Sequence, residues 1–170
     1  VTDFEDRGTC VLFGDGAGSA VVAADPERPF WWSSGARGGG DSLSCAGISP
    51  GGGPVGRIAM NGKEVFRFAV EAIPVGIREV LSKSGSDLSQ MDWIVCHQAN
   101  ARILSHAAKA MGVPLEKFYM NLDRYGNTSA ASIPVALDEM NREGLLREGM
   151  QVMLAGFGGG LTWGAAQIIW

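Results

Sequence analysis

Residues 91–112 run MDWIVCHQANARILSHAAKAMG. Five residues, 92–96, form a short apolar run that predicts a buried strand, and it leads straight into His97 with no intervening turn. Residues 98–111 then carry apolar side chains at helical spacing, and Gly112 and Pro114 stop the helix. A strand that passes directly into a helix is the unit of a layered α/β fold.

The flanking sequence repeats the alternation. Downstream, 117–121 (KFYMN) predicts another strand, and 129–143 predicts a helix capped by Thr128 or Ser129, with Pro134 early enough to be tolerated. Two more strands follow, 151–155 (QVMLA) and 165–169 (AAQII), around the glycine turn GFGGG at 156–160. Upstream, Phe66, Val70, Ile73, Ile77 and Val80 mark one face of a helix over 63–83, in which Pro74 predicts a kink. Residues 33–57 are rich in Gly, Ser and Pro and predict a long loop. At the start, 9–14 (TCVLFG) and 19–24 (SAVVAA) predict strands around GDGAG. The two strand–glycine turn–strand units, one at each end, fit an internal duplication. The closing antiparallel pair makes the expected sheet mixed.

Composition narrows the function. With 14 Lys+Arg against 18 Asp+Glu the net charge is −4, which disfavours nucleic acid as a partner. No apolar run is long enough to span a bilayer, and no basic-then-apolar leader is visible. Cys10, Cys45 and Cys96 form no CxxC pair, so neither a disulfide framework nor a structural zinc site is expected, and a reducing, cytoplasmic setting is. Two histidines do not make a His-rich metal centre. The run GDGAG lacks GxGxxG spacing and precedes a strand-like segment, which argues against a dinucleotide site.

Three features at element ends could carry chemistry: His97 in CHQANAR, Asn127 in RYGNTSAAS, and the triglycine after Phe157. A neutral imidazole and an amide can each donate a hydrogen bond to one carbonyl oxygen, a pair suited to an enolate. Backbone N–H groups at a glycine turn can hold a second oxyanion.

The stretches DRGTCVLFGDGAGSAVV (6–22), HQANARI (97–103), DRYGNTSAAS (123–132) and AGFGGGLTWG (155–164) together resemble the β-ketoacyl-acyl-carrier-protein synthase III family. The resemblance covers nearly the whole chain. It implies a thiolase-like fold, in which two duplicated α/β halves form a five-layer αβαβα sandwich. This chain would be the second half, with a mixed five-stranded sheet: 1–25 as the closing strand pair of the first half, 26–57 as a Gly-rich loop region, and 58–170 as the C-terminal domain.

The resemblance also implies a chemistry, the initiating condensation of type II fatty acid synthesis. A Cys takes an acyl group from acyl-CoA, malonyl-carrier protein loses CO₂, and the carbanion attacks the acyl-thioester. His97 and Asn127 would bind the malonyl thioester oxygen. The Gly159 amide would serve the other oxyanion hole, and Phe157 would position His97 or favour loss of CO₂. Arg7 would meet the CoA nucleotide, while Gly62, Phe66 and Asn100 would line the pantetheine channel. Lys63 replaces an expected uncharged amide. No metal or redox cofactor is implied; CoA and phosphopantetheine enter as substrates. Acyl carrier protein and a second copy of the chain are the implied partners.

The family's nucleophile, a Cys in an Ala-Cys-Ser/Thr-Gly context, has no counterpart here. Cys96 should point away from His97, since successive strand side chains alternate. Cys10 begins an apolar run, and Cys45 lies in the Gly-rich loop. With Val1 at its start, the chain is expected to be part of a longer polypeptide. A non-catalytic acyl-CoA or carrier-protein binding module, or a ketosynthase acting on other acyl groups, are the alternatives. Independently of the resemblance, Arg102, His106 and Lys109 fall at i, i+4, i+7 on one helix face, a basic dock for an acidic carrier protein.

Overall fold

The computed structural model describes residues 1–45, 47 and 56–170. Its sheet is organised around the C-terminal strand pair. Strands β5 (Gln151–Gly158) and β6 (Thr162–Ile169) pair antiparallel, with Phe157 opposite Trp163. β4 (Trp93–Cys96) lies parallel to β5, and β1 (Trp31–Ala36) runs antiparallel to β6. The strand order is β1-β6-β5-β4, a mixed sheet as expected.

Helices cover both faces, and the alternation of side chains along the strands decides which residue goes where. Ile94 and Cys96 of β4 and Met153 and Ala155 of β5 point to α1 (Gly62–Ser84) and α2 (Ala101–Met111), forming a core with Ala69, Ile73, Ile77 and Leu104. Val95 and Val152 point the other way, to Ala136 and Met140 of α4 (Ser132–Arg142). Each of the two long caps is legible in chemistry. Asn61 accepts from the Glu64 N–H at the start of α1, and Gly85 ends it in the left-handed region at φ 70°. Asn100 and Gly112 (φ 67°) do the same for α2. Pro74 is buried inside α1, which continues past it to Ser84.

Four expectations change. The strands at 9–14 and 19–24 do not form. Residues 4–12 are turns, Phe13 makes a single bridge to Asn127, and 14–25 are irregular, with Val21 and Val22 fully exposed. β-Branched residues suit a strand only where a partner strand supplies the ladder, and no described segment does. Second, the long loop is interrupted by β1 and by β2 (Leu43–Cys45), which pairs with β3 (Ile58–Met60); its residues 46 and 48–55 lie outside the described residues. Third, the predicted fifth strand at 117–121 is reduced to one bridge, Phe118 to Ile94 on the outer edge of β4, after a 3-10 turn at Leu115–Lys117. Among the described residues the sheet therefore has four strands. Fourth, the helix predicted over 129–143 begins as a 3-10 turn, Ser129–Ala131, before α4 proper.

The replacement for that fifth strand is a side chain. Gln98, 1% exposed, donates from Nε2 to the carbonyls of Cys96 (2.9 Å) and Tyr119 (3.1 Å) and accepts from the Asn121 N–H (3.1 Å). The short helix α3 (Leu122–Tyr125) follows, and Glu139 of α4 holds this stretch through Tyr119, Asn121, Arg124 and Tyr125. Among the described residues no helix is long and apolar enough to cross a membrane.

Candidate active site

His97 is the first residue beyond β4. Its N–H donates to the Ala155 carbonyl (2.8 Å), so the parallel pairing with β5 carries through to it. The alternation that sends Cys96 into the α1–α2 core turns His97 to the opposite side, toward the start of α4. There the ring Nδ1 lies 2.7 Å from Ser132 Oγ. Cys96 is fully buried, and loss of solvent pushes its thiol up to about 12, so it is inert.

Asn127 is held from both sides by Leu12 and Gly14, far from it in sequence. Its N–H donates to the Leu12 carbonyl (2.8 Å) and its carbonyl accepts from the Gly14 N–H (2.9 Å). The side-chain Oδ1 accepts from the Ser129 N–H (3.0 Å), which fixes the amide and leaves Nδ2 without a hydrogen bond among the described residues. This contact explains GDGAG. A Cβ on Gly14 would fall on the Tyr125 carbonyl oxygen, one on Gly16 would lie 2.9 Å from Thr128 Cβ, and one on Gly18 would strike the Pro134 ring. The glycines let 14–18 lie flat against the segment that carries Asn127.

Phe157, near the end of β5, sets its ring edge-on to His97 at 5.2 Å between centroids. His97, Asn127 and Phe157 thus converge from the end of β4, the approach to α4 and the end of β5. The C-terminal ends of parallel strands are where open α/β sheets bind ligands. They share one cavity of about 570 Å³, which Gly159, Gly62, Phe66 and Asn100 also line. The size is that of a small-molecule pocket and the walls are mainly apolar, with Leu12, Ile58, Met60 and Ile103 among them. Burial holds the His97 ring pKa down to about 4, with the Ser129 carbonyl pulling the other way. The imidazole is therefore neutral near pH 7.

The remaining expected residues are placed less centrally. Asn100 spends Oδ1 on the Arg102 N–H as the cap of α2, so its Nδ2 is the atom left for a ligand. The Gly159 N–H donates to no described backbone carbonyl, as an oxyanion donor requires. Arg7 is exposed in the turn over 6–9; its neighbour Gly8 lines the cavity and Arg7 does not. Arg102, His106 and Lys109 are all exposed on the outer face of α2, outside the cavity. Lys63 is exposed in the first turn of α1. Cys45 is an exposed cavity-wall residue, its Sγ 3.5 Å from the Gly56 carbonyl. Among the described residues no His, Cys, Asp or Glu group could hold a metal ion.

Sequence reasoning did not single out Gln98 or Ser132. Gln98 sits inside the HQAN stretch and Ser132 closes GNTSAAS, so both lay within the motifs. What each does depends on partners far away in sequence.

Residues 81–170 match the family model described as 3-oxoacyl-[acyl-carrier-protein (ACP)] synthase III C terminal, and residues 1–37 match that of 3-oxoacyl-[acyl-carrier-protein (ACP)] synthase III. A beta-ketoacyl-[acyl-carrier-protein] synthase III of Clostridium botulinum (strain Hall) is 48% identical over 180 residues, spanning 100% of this chain and 55% of that protein. Among solved structures, the 3-oxoacyl-[acyl-carrier-protein] synthase III of Aquifex aeolicus VF5 superposes with a TM-score of 0.89 at 40% identity, over 99% of this chain and 54% of that one. The enzyme of Pseudomonas aeruginosa PAO1 gives 0.86 at 37%, again over 99% and 54%. The chain thus spans about half the length of the curated relatives it matches.

Proposed function

The chain belongs to the 3-oxoacyl-[acyl-carrier-protein] synthase III family, and from that premise we propose that it supplies the His97–Asn127 side of a condensing active site. The reaction joins an acyl-CoA primer to malonyl-acyl-carrier protein by decarboxylative Claisen condensation. The acyl group is carried on a Cys thioester from outside this chain. Loss of CO₂ from the malonyl group leaves an enolate, whose carbon attacks the acyl carbonyl. The C–S bond to the Cys breaks, and the product is a β-ketoacyl thioester on the carrier protein.

One observation carries this reading: Asn127 Nδ2 and the neutral His97 ring share a mainly apolar cavity at the strand ends. An apolar wall disfavours the charged malonyl carboxylate and favours neutral CO₂. Phe157 is the aromatic wall set edge-on to His97. Asn127 donates to the thioester oxygen, where negative charge develops, and its fixed Oδ1 means that no reorientation is needed. Gly159 takes the oxyanion of the second, tetrahedral stage. Gly62, Phe66 and Asn100 contact the pantetheine arm, and Arg7 the nucleotide beyond the mouth. The basic face of α2, with Arg102 and Lys109, receives the acidic carrier protein. We infer that the whole enzyme works as a cytoplasmic homodimer with no cofactor beyond its thioester substrates.

The test is Asn127→Ala in the intact protein. Malonyl-carrier-protein decarboxylation should fall roughly 10²–10³-fold, the usual effect of losing one oxyanion donor. Full activity in the variant would remove the role assigned to this side of the site.

A further inference from the structure

We propose that Ser132 is a positioning residue that fixes His97 as its Nδ1–H tautomer, so that the ring presents a bare Nε2, a proton acceptor, to the cavity. The proposal rests on the reading of His97 as a residue of the reaction and adds the direction in which its proton points.

The argument is an accounting of one hydroxyl proton. Among the described residues Ser132 Oγ has three hydrogen-bonding neighbours. The Gln98 N–H donates to it at 3.2 Å. The Ser129 carbonyl lies 2.9 Å away and can only accept, so the hydroxyl proton points there. Turning it elsewhere would leave two oxygen lone pairs facing each other at that distance. The third neighbour is His97 Nδ1 at 2.7 Å. With its proton spent, Oγ meets Nδ1 as an acceptor, and Nδ1 must carry the hydrogen. The Ser129 carbonyl also favours a proton on the ring. A neutral imidazole has one N–H, so Nε2 is left with its lone pair.

Ser132 is well placed to hold this arrangement. It is 2% exposed, its backbone begins α4, and its N–H donates to the same Ser129 carbonyl. Both neighbours of the hydroxyl other than His97 are main-chain groups, so no side-chain rotation can exchange them. The Phe157 ring, edge-on to the imidazole, offers no competing hydrogen bond.

The consequence departs from the sequence expectation of two neutral donors on one oxygen. Asn127 remains a donor. His97 becomes one at Nε2 only after it has taken a proton there, which makes it an acceptor at the start of a cycle.

The tautomer is directly measurable in the intact protein labelled with ¹⁵N-histidine, by long-range ¹H–¹⁵N correlation at neutral pH. His97→Gln identifies the His97 ring as the pair of signals that it removes. The expected pattern has a pyrrole-type Nδ1 and a pyridine-type Nε2. A protonated Nε2 in the otherwise wild-type protein overturns the proposal without any further variant. Ser132→Ala should then convert the pattern to one with substantial Nε2–H, and Ser132→Thr, which keeps the oxygen, should restore the original. An unchanged tautomer in Ser132→Ala would also overturn it. These readouts do not depend on turnover, so they stand apart from the condensation assay that tests the function itself.

Discussion

Replacing Gln98 by Met tests whether a side chain really stands in for a strand. The two side chains are similar in length, so packing changes little. What is lost is three hydrogen bonds inside the protein: two donated by Nε2, to Cys96 and Tyr119, and one accepted by Oε1 from the Asn121 N–H. Asn121 is 2% exposed, so water does not replace its partner. An orphaned buried N–H costs about 1–3 kcal/mol, and each carbonyl that loses a bond adds about 0.5–1.5 kcal/mol. Met gains some apolar transfer energy in return. The net expectation is a loss of roughly 3 kcal/mol. Urea unfolding followed by tryptophan fluorescence should show the midpoint falling with the slope m unchanged. A loss below about 1 kcal/mol would refute the view that Gln98 fastens residues 119–121 to β4.

Three further outcomes follow from the same geometry. Gly14→Ala forces a methyl into the Tyr125 carbonyl and should cost about 1–3 kcal/mol by overpacking, whereas Gly38→Ala, with open space around it, should be near neutral in the same melt. The His97 ring has its folded pKa held at about 4 against 6.5, so its contribution is complete above pH 6.5 and is lost as pH falls toward 4. The loss amounts to about 3 kcal/mol, and His97→Gln should flatten that part of the stability profile measured by urea unfolding at pH 7.5 and 4.5. Arg102→Glu should weaken use of the carrier protein, seen as a raised KM for malonyl-carrier protein, with little change for acyl-CoA; equal effects on both would count against docking on α2.

The parts of the fold that were legible in the sequence are those stabilised locally. α1 shows its apolar stripe from Phe66 to Val80 and carries its own caps, so its limits differ from the expected ones by a residue. β4 and the β5–β6 pair were legible for the same reason, since apolar runs flank a glycine turn. The failures among the strands all concern pairing. Residues 19–24 have strand composition and no partner strand among the described residues, while Trp31–Ala36, with Ser and Gly inside it, is a strand because β6 offers it an edge. Residues 117–121 lose their ladder to Gln98. The site divides the same way. His97, Asn127 and Phe157 were legible as residue types within motifs, and they do share a cavity. The proton on His97 was not, because it depends on where Ser132 Oγ finds its acceptors.

The contact between Gly14 and Asn127 also sets an order of assembly. Their hydrogen bonds join residues far apart in sequence, so they form only after a long loop has closed. β4, β5 and the helices packed on them rest on shorter-range contacts and are expected to form earlier. The amide that faces the cavity is therefore among the last groups to reach its place. A partly unfolded chain would hold β4 paired with β5 and an open, chemically silent pocket, and the site would switch on only when residues 12–14 had docked on Asn127.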